Sequence, residues 1–243
     1  MKKMLAVLTA AAAAVSVLTT GCDSSGGEIT VTIVQPMSHT SLDQIRDTII
    51  AELEAAGRDD IRVVTENANN DTTALTTILQ NQRSEGVDIV VPIATNTAQT
   101  AKAVFDGEDT PIIFAAVSDP DAAGLTGSDC QYITGVSNNI PAGEIVELIS
   151  NFQPDYQKIG FLYTSSETNS VSTIQAAEAY CDENGIAYEE ASIANLSELP
   201  TAVETLISEG VDVLYTGNDN SIASAMPTYT DAAYSNGIPV YCG

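Results

Sequence analysis

Ser84-Glu85-Gly86-Val87-Asp88 runs into Ile89-Val90-Val91-Pro92-Ile93-Ala94-Thr95, and the same five residues return as Ser208-Glu209-Gly210-Val211-Asp212 before Val213-Leu214-Tyr215-Thr216-Gly217. Each copy reads as the last turn of a helix, a Gly stop, a buried strand and a polar loop. Such joints occur in any parallel-sheet protein, so the flanking sequence has to show whether a whole unit is repeated.

Upstream of the first copy, Ile29–Gln35 is a β-branched strand. It feeds a loop and a helix opened by Ser41, in which Leu42, Ile45, Ile49, Ile50 and Leu53 recur at helical spacing before Gly57. A strand at Ile61–Val64 and a helix capped by Asp71 lead into the repeated phrase. The phrase supplies a third strand over Val87–Ala94, Thr95-Asn96-Thr97 is expected to cap a helix from Ala98, and Pro111–Val117 is a fourth strand. The second half follows the same order. Strands are expected at Lys158–Tyr163, Tyr188–Ile193, after the second copy of the phrase, and from Pro239. Between them lie helices from about Val171, from Ser197-Glu198, and from Asn218-Asp219-Asn220-Ser221 to about Ser235. Four strands per half make this a repeat. The stretch between the halves carries Gly124, Gly127 and Gly135, a short strand candidate at Tyr132–Val136 and a helix from Pro141, and has the composition of a crossover.

Strands alternating with helices imply an α/β fold of two Rossmann-like lobes, each a parallel sheet covered on both faces. The expected division is residues 29–137 for the first lobe and 138–243 for the second. In such sheets a ligand binds beyond the carboxyl ends of the strands, where helix N-termini offer free N–H groups, and the polar loops lie at those ends.

Of the 243 residues, 33 are acidic and 8 basic, a formal charge of −25 that repels phosphate backbones and speaks against nucleic acid as a partner. Lys2-Lys3 precede an apolar run from Met4 to Leu18 and small residues up to Cys22: a secretory signal, too short for a stable span. Gly21-Cys22, followed by a flexible linker at residues 23–28, resembles a bacterial lipoprotein cleavage site with Cys22 bearing the lipid. Leu18 lies four residues before Cys22, one further than the usual pattern. Cys130, Cys181 and Cys242 have no CxxC spacing and His39 is the only histidine, so no metal site or cofactor is expected. One disulfide is possible, its pair unnamed.

The polar loops carry a resemblance. Gln35 with His39, Ala94-Thr95-Asn96-Thr97-Ala98-Gln99, Phe114-Ala115-Ala116-Val117-Ser118-Asp119-Pro120, Ile133–Ser137, Ile159–Tyr163 with Ser165-Ser166-Glu167 and Asn169-Ser170, and Asp219-Asn220 are similar to the tryptophan-binding type of ABC transporter substrate-binding lipoproteins, a branch of the periplasmic binding protein superfamily. The resemblance runs from about residue 29 to the end. It implies a type I-like two-lobe fold that closes on a small amino-acid-like solute, an aromatic amino acid among the candidates, and delivers it to a membrane permease. It also implies an extracytoplasmic location with the chain anchored to the membrane through Cys22. Proteins of this type continue past the position of Gly243, so the second lobe is expected to be incomplete.

An amino-acid ligand needs donors for its carboxylate, an acceptor for its ammonium and an apolar slot. Thr95, Ala98, Gln99, Ser165, Ser166, Asn169 and Ser170 lie where helices begin and suit a carboxylate; the alternative is that they only cap helices. Asp119 and Asp219 follow strands at matching ends of the halves and could pair with the ammonium, or form turns and caps. Gln35, His39, Ser118 and Asn220 complete the candidate set. Tyr163 and Tyr215, inside strands, read as core. No Gly-x-Ser-x-Gly elbow, phosphate loop or metal-ligand cluster supports an enzyme. A solute-binding lipoprotein for an importer is the leading reading. A lobe that senses the solute and signals to a membrane partner, and a surface adhesin with no cleft, are the alternatives.

Overall fold

In both copies the repeated phrase has the same mechanical role. A computed structural model describes residues 27–243; the expected signal segment and Cys22 lie outside the described residues. Helix α2 (Thr72–Glu85) ends at Gly86 with φ 72°, and α6 (Leu199–Ser208) passes through Glu209 into Gly210 with φ 80°. A left-handed residue there lets the chain reverse without Cβ strain. Val87 and Val211 then turn into the cores, 5% and 4% exposed. The Asp88 carboxylate accepts from Thr30 N at 2.7 Å, and that of Asp212 from Gln157 N and Lys158 N at 2.6 and 3.0 Å. These bonds seat β3 (Ile89–Pro92) beside β1 (Ile29–Gln35) and β8 (Val213–Thr216) beside β6 (Lys158–Thr164).

The first sheet has the order β2-β1-β3-β4-β5, with β2 at Ile61–Asn67, β4 at Ile112–Val117 and β5 at Ile133–Ser137. The second has the order β7-β6-β8-β9, with β7 at Ala187–Ile193 and β9 at Val240–Cys242. All pairings are parallel, and the shared second-first-third-fourth order is the repeat in three dimensions. Each sheet is covered on both faces. In β6, Ile159 and Phe161 pack against α4 (Ala142–Phe152) and α5 (Thr168–Asn184), while Leu162 packs with Leu199, Val203 and Tyr229 on the other side. In the first sheet Val34 and Val90 join Leu75 and Leu79 of α2. Val31, Ile33 and Val91 join Leu42 of α1 (Thr40–Ala55). The two-residue strand period thus builds two cores per sheet, each large buried side chain contributing about 1.5–3 kcal/mol.

Four local expectations are corrected. Helix α3 (Thr95–Val104) starts at Thr95 and not at Ala98, because Ala94 makes the turn and its carbonyl accepts Ala98 N at 3.1 Å; Thr95 to Thr97 form the first turn. Helix α5 likewise begins at Thr168, three residues before Val171. The helix after Asp219 is broken at Ala225 into α7 (Asn220–Ser224) and α8 (Met226–Tyr234), since Pro227 has no N–H to continue the ladder. The strand near Tyr132 is not part of a crossover but the fifth member of the first sheet. Gly135 lets it approach β4, a Cβ there falling 2.1 Å from Phe114 O. Cys130, Cys181 and Cys242 are all free thiols.

Candidate functional site

The carboxyl ends of the two sheets meet across a cavity of about 140 Å³. From the first lobe, His39, Leu42 and Ile45 line it at the start of α1. Ala94 and Thr95 line it between β3 and α3, and Ala116 and Ser118 at the end of β4. The second lobe contributes Asn169, the run Thr216–Asn220, Met226 and Cys242. Gly217 is needed in that wall, because a Cβ there would lie 2.6 Å from Thr173 Cγ2.

Two alanines in the lining have backbones that alanine rarely adopts: Ala94 at φ 72°, ψ 161°, and Ala116 at φ 55° within the β4 bulge. Each costs on the order of 1–3 kcal/mol and persists only where its surroundings enforce it, a pattern concentrated at ligand clamps. The turn at Ala94 offers no side-chain cap, which leaves the first N–H groups of α3 beside the cavity.

Three buried polar atoms of the lining have no protein partner: Thr95 Oγ1, Asn169 Oδ1 and Thr216 Oγ1. The hydroxyls of Thr97, Tyr215 and Tyr229, which do not line it, are unpartnered as well, but the three on lining residues form a set of donors and acceptors at one place. Leu42, Ile45, Ala223 and Met226 give it apolar surface, and among the described residues no Lys or Arg lines it.

Asp219 also lines the cavity, yet its carboxylate is occupied. Oδ2 accepts from Thr164 N and Ser170 Oγ, both at 2.6 Å, and Oδ1 from Thr164 Oγ1 at 2.9 Å and Ile222 N at 2.8 Å. Those bonds use its four acceptor positions, so direct pairing with a ligand ammonium gives way to capping of α7 and bracing of β6 and α5. Glu167 is a second buried carboxylate at the same helix end. It accepts from Asn220 N, Asn220 Nδ2, Ser221 N and Ser221 Oγ at 2.8–2.9 Å. Burial, then the charge of Asp219, pushes its pKa above the usual carboxylate range.

Of the residues singled out in the sequence, the structure brings His39, Thr95, Ser118, Asn169, Asp219 and Asn220 together around the cavity. The others lie elsewhere. Gln35 is buried under its own loop, donating to Met37 O and Asp43 Oδ1 at 2.9 and 2.8 Å and accepting from Arg46. Ala98 packs into the core with Phe114 and Leu125, Gln99 donates to Ala123 O, and Ser170 lies beneath the lining on Asp219. Ser165 bonds Ile193 O, Ser166 faces a neighbouring groove with Gln99, and exposed Asp119 accepts from Asp121 N and Ala122 N as a turn former. Sequence reasoning missed Thr216, Asn218 and Met226, which carry no motif, and the two alanines, whose residue type gives no sign of a positive φ. Tyr215 is core as expected, fully buried and edge-on to Phe161; burial pushes its hydroxyl up to about 12.

The lobes touch at the rim through three sets of hydrogen bonds. Asn96 Nδ2 donates to Ser166 O at 3.0 Å, Asn218 Nδ2 to Ser118 Oγ at 3.4 Å, and His39 Nε2 lies 3.4 Å from Asn220 Oδ1. Side chains from both halves therefore bridge the rim of the cavity. Among the described residues no group of three His, Cys, Asp or Glu is placed to hold a metal, and no helix is long and apolar enough to cross a membrane.

Residues 30–243 match the family model described as ABC transporter substrate binding protein. The chain belongs to that family. It is 32% identical to the tyrosine-binding protein of Clostridioides difficile (strain R20291), an alignment covering 98% of this chain and 74% of that one. Among solved structures it is similar to an ABC domain from Streptococcus pneumonia in complex with L-Trp. Identity is 32%, the match covers 89% of this chain and 74% of that one, and the TM-score is 0.81. Against the ligand-free, open structure of a Clostridium difficile substrate binding protein with adhesive properties, identity and coverage are nearly the same, 31%, 88% and 74%, but the TM-score is 0.59. This chain thus has a geometry nearer to the ligand-bound relative than to the open one. A leucine binding protein from Thermotoga maritima, at 11% identity and TM-score 0.71, shares the fold. As a substrate-binding protein the chain works outside the cytoplasm, as the partner of an ABC transporter, and its family is one of solute binders rather than an enzyme class.

Proposed function

We propose that the chain captures a zwitterionic amino acid with an aromatic side chain between its lobes, delivers it to the permease of an ABC importer, and is held at the cell membrane by lipid on Cys22. The observation that carries this is the set of unpartnered atoms on residues lining the cavity between the lobes. Asn169 Oδ1 accepts from an ammonium, and the Thr216 hydroxyl is a second unpartnered group of the same lobe. Thr95 Oγ1 and the first N–H groups of α3 donate to a carboxylate at the positive end of the helix dipole. With no Lys or Arg in the lining, a neutral head-group pair fits better than a dianion. The apolar wall of Leu42, Ile45 and Met226 takes the side chain. The tyrosine-binding and L-Trp-bound relatives support the same class of ligand.

Isothermal titration with L-tyrosine, L-tryptophan, L-phenylalanine, L-leucine, dipeptides and nucleosides tests the reading. Saturable binding of aromatic amino acids is expected, and a chain that binds none of these solutes overturns it. For the anchor, cells grown with radiolabelled palmitate should label the parent and not Cys22→Ala; equal labelling refutes the lipid attachment.

A further inference from the structure

We propose that Glu167 is the positioning residue for closure of the cleft: it fixes Asn220 so that Asn220 meets His39 of the other lobe across the mouth. The inference rests on the reading of the cleft as a site that closes on a solute. Glu167 does not line the cavity and is only 5% exposed. Its four bonds all go to Asn220 and Ser221 at the start of α7. That helix has five residues and is already capped by Asp219, whose Oδ1 accepts Ile222 N. A second buried carboxylate there is costly, and more so beside Asp219, so capping alone does not account for it.

What Glu167 adds is the orientation of one amide. Its Oε2 takes both Asn220 N, at 2.9 Å, and Asn220 Nδ2, at 2.8 Å, which turns Asn220 Oδ1 outward to His39 Nε2 at 3.4 Å. An amide held only by the His39 contact would be free to rotate or flip. His39 stands at the N-cap position of α1, whose next residues Leu42 and Ile45 form the apolar wall. Glu167, Asn220 and His39 therefore link the floor of the second lobe to the helix that covers the ligand in the first. Of the three rim contacts, this one alone is backed by a buried charge.

The test is a double-mutant cycle on the full chain with E167Q, H39A and the pair, read by titration with L-tyrosine and L-tryptophan. E167Q keeps the size of the side chain but can accept on one side only. Each single variant should weaken binding by about tenfold, and the double variant by no more than the weaker-binding single, because both break one linkage. Additive losses, or an E167Q chain that binds like the parent, overturn the proposal. Small-angle scattering without ligand provides a readout independent of the solute. The parent should be more compact than E167Q and H39A, and equal radii overturn it even if no amino acid binds any of the chains. Should E167Q fail to fold, N220A with H39A forms an equivalent cycle, with non-additivity again the expected result and additivity the refuting one.

Discussion

Replacing Asp219 with Asn separates a structural carboxylate from a ligand-binding one. The parent carboxylate joins β6, α5 and α7 through four hydrogen bonds, two of them from the backbone groups Thr164 N and Ile222 N. An amide keeps one acceptor oxygen. With its NH2 at the Oδ2 position it can donate to the rotatable Ser170 hydroxyl but leaves Thr164 N bare; in the other orientation it satisfies Thr164 Oγ1 but leaves Ile222 N bare. Either way one buried N–H is orphaned, which costs about 1–3 kcal/mol, and the loss of charge at the start of α7 adds about 0.3–1 kcal/mol. Removing the negative neighbour of Glu167 returns part of this. The net expectation is a loss of about 2 kcal/mol, a drop of roughly 4–8 °C in Tm for a chain of this size. Urea unfolding followed by circular dichroism should show a lower midpoint with an unchanged slope, and aromatic amino acids should still bind. A stability change below about 0.5 kcal/mol together with abolished binding would refute the reasoning, because Asp219 would then be a free carboxylate serving the ligand.

Thr216→Val removes an unpartnered buried hydroxyl at nearly constant volume. It should raise the stability of the ligand-free chain by about 1 kcal/mol while weakening amino-acid binding about tenfold, and a variant that loses both contradicts the cavity assignment. Ala94→Gly relieves a backbone of φ 72°, ψ 161° that glycine adopts without strain; after glycine's entropic cost, a gain of about 1 kcal/mol in urea unfolding is expected, and a loss would show that the turn is not strained. Glu178 is pushed up to about 7 by burial and by Glu190. A carboxyl raised in the folded state adds stability that is complete below its ordinary value of 4.5 and lost as pH climbs through 7. The urea midpoint of the parent should thus fall between those values by more than that of Glu178→Gln, and parallel curves would contradict the shift.

Much of the fold was legible because parallel α/β units write their geometry locally. Gly86 and Gly210 had to be glycines for the helices to end as they do, and the β-branched runs had to be buried on both faces. The ends of helices were less legible. Thr95-Asn96-Thr97 has the composition of a cap, yet a left-handed Ala94 draws all three into the helix, and only the surrounding β3–β4 pairing enforces that turn. At the site, polar residues after strands were the right place to look but not a sufficient criterion. Gln35 and Asp119 spend their polar groups on the chain just after them and Ser165 on the end of β7, while Thr216, Asn218 and Met226 reach the cavity from positions that carry no motif.

Hydrophobic period, glycine stops and caps act within a few residues of chain, so the twofold repeat, the two sheets and the strand ends where a ligand would sit are written locally. Which of the two matching aspartates is occupied, and which hydroxyls and amides are left without partners, depends on the packing of the whole chain. Hydrogen-bond satisfaction is settled by groups far apart in sequence: Thr164, Ser170 and Ile222 converge on Asp219 and occupy it, and nothing converges on Asn169 Oδ1, Thr95 Oγ1 or Thr216 Oγ1.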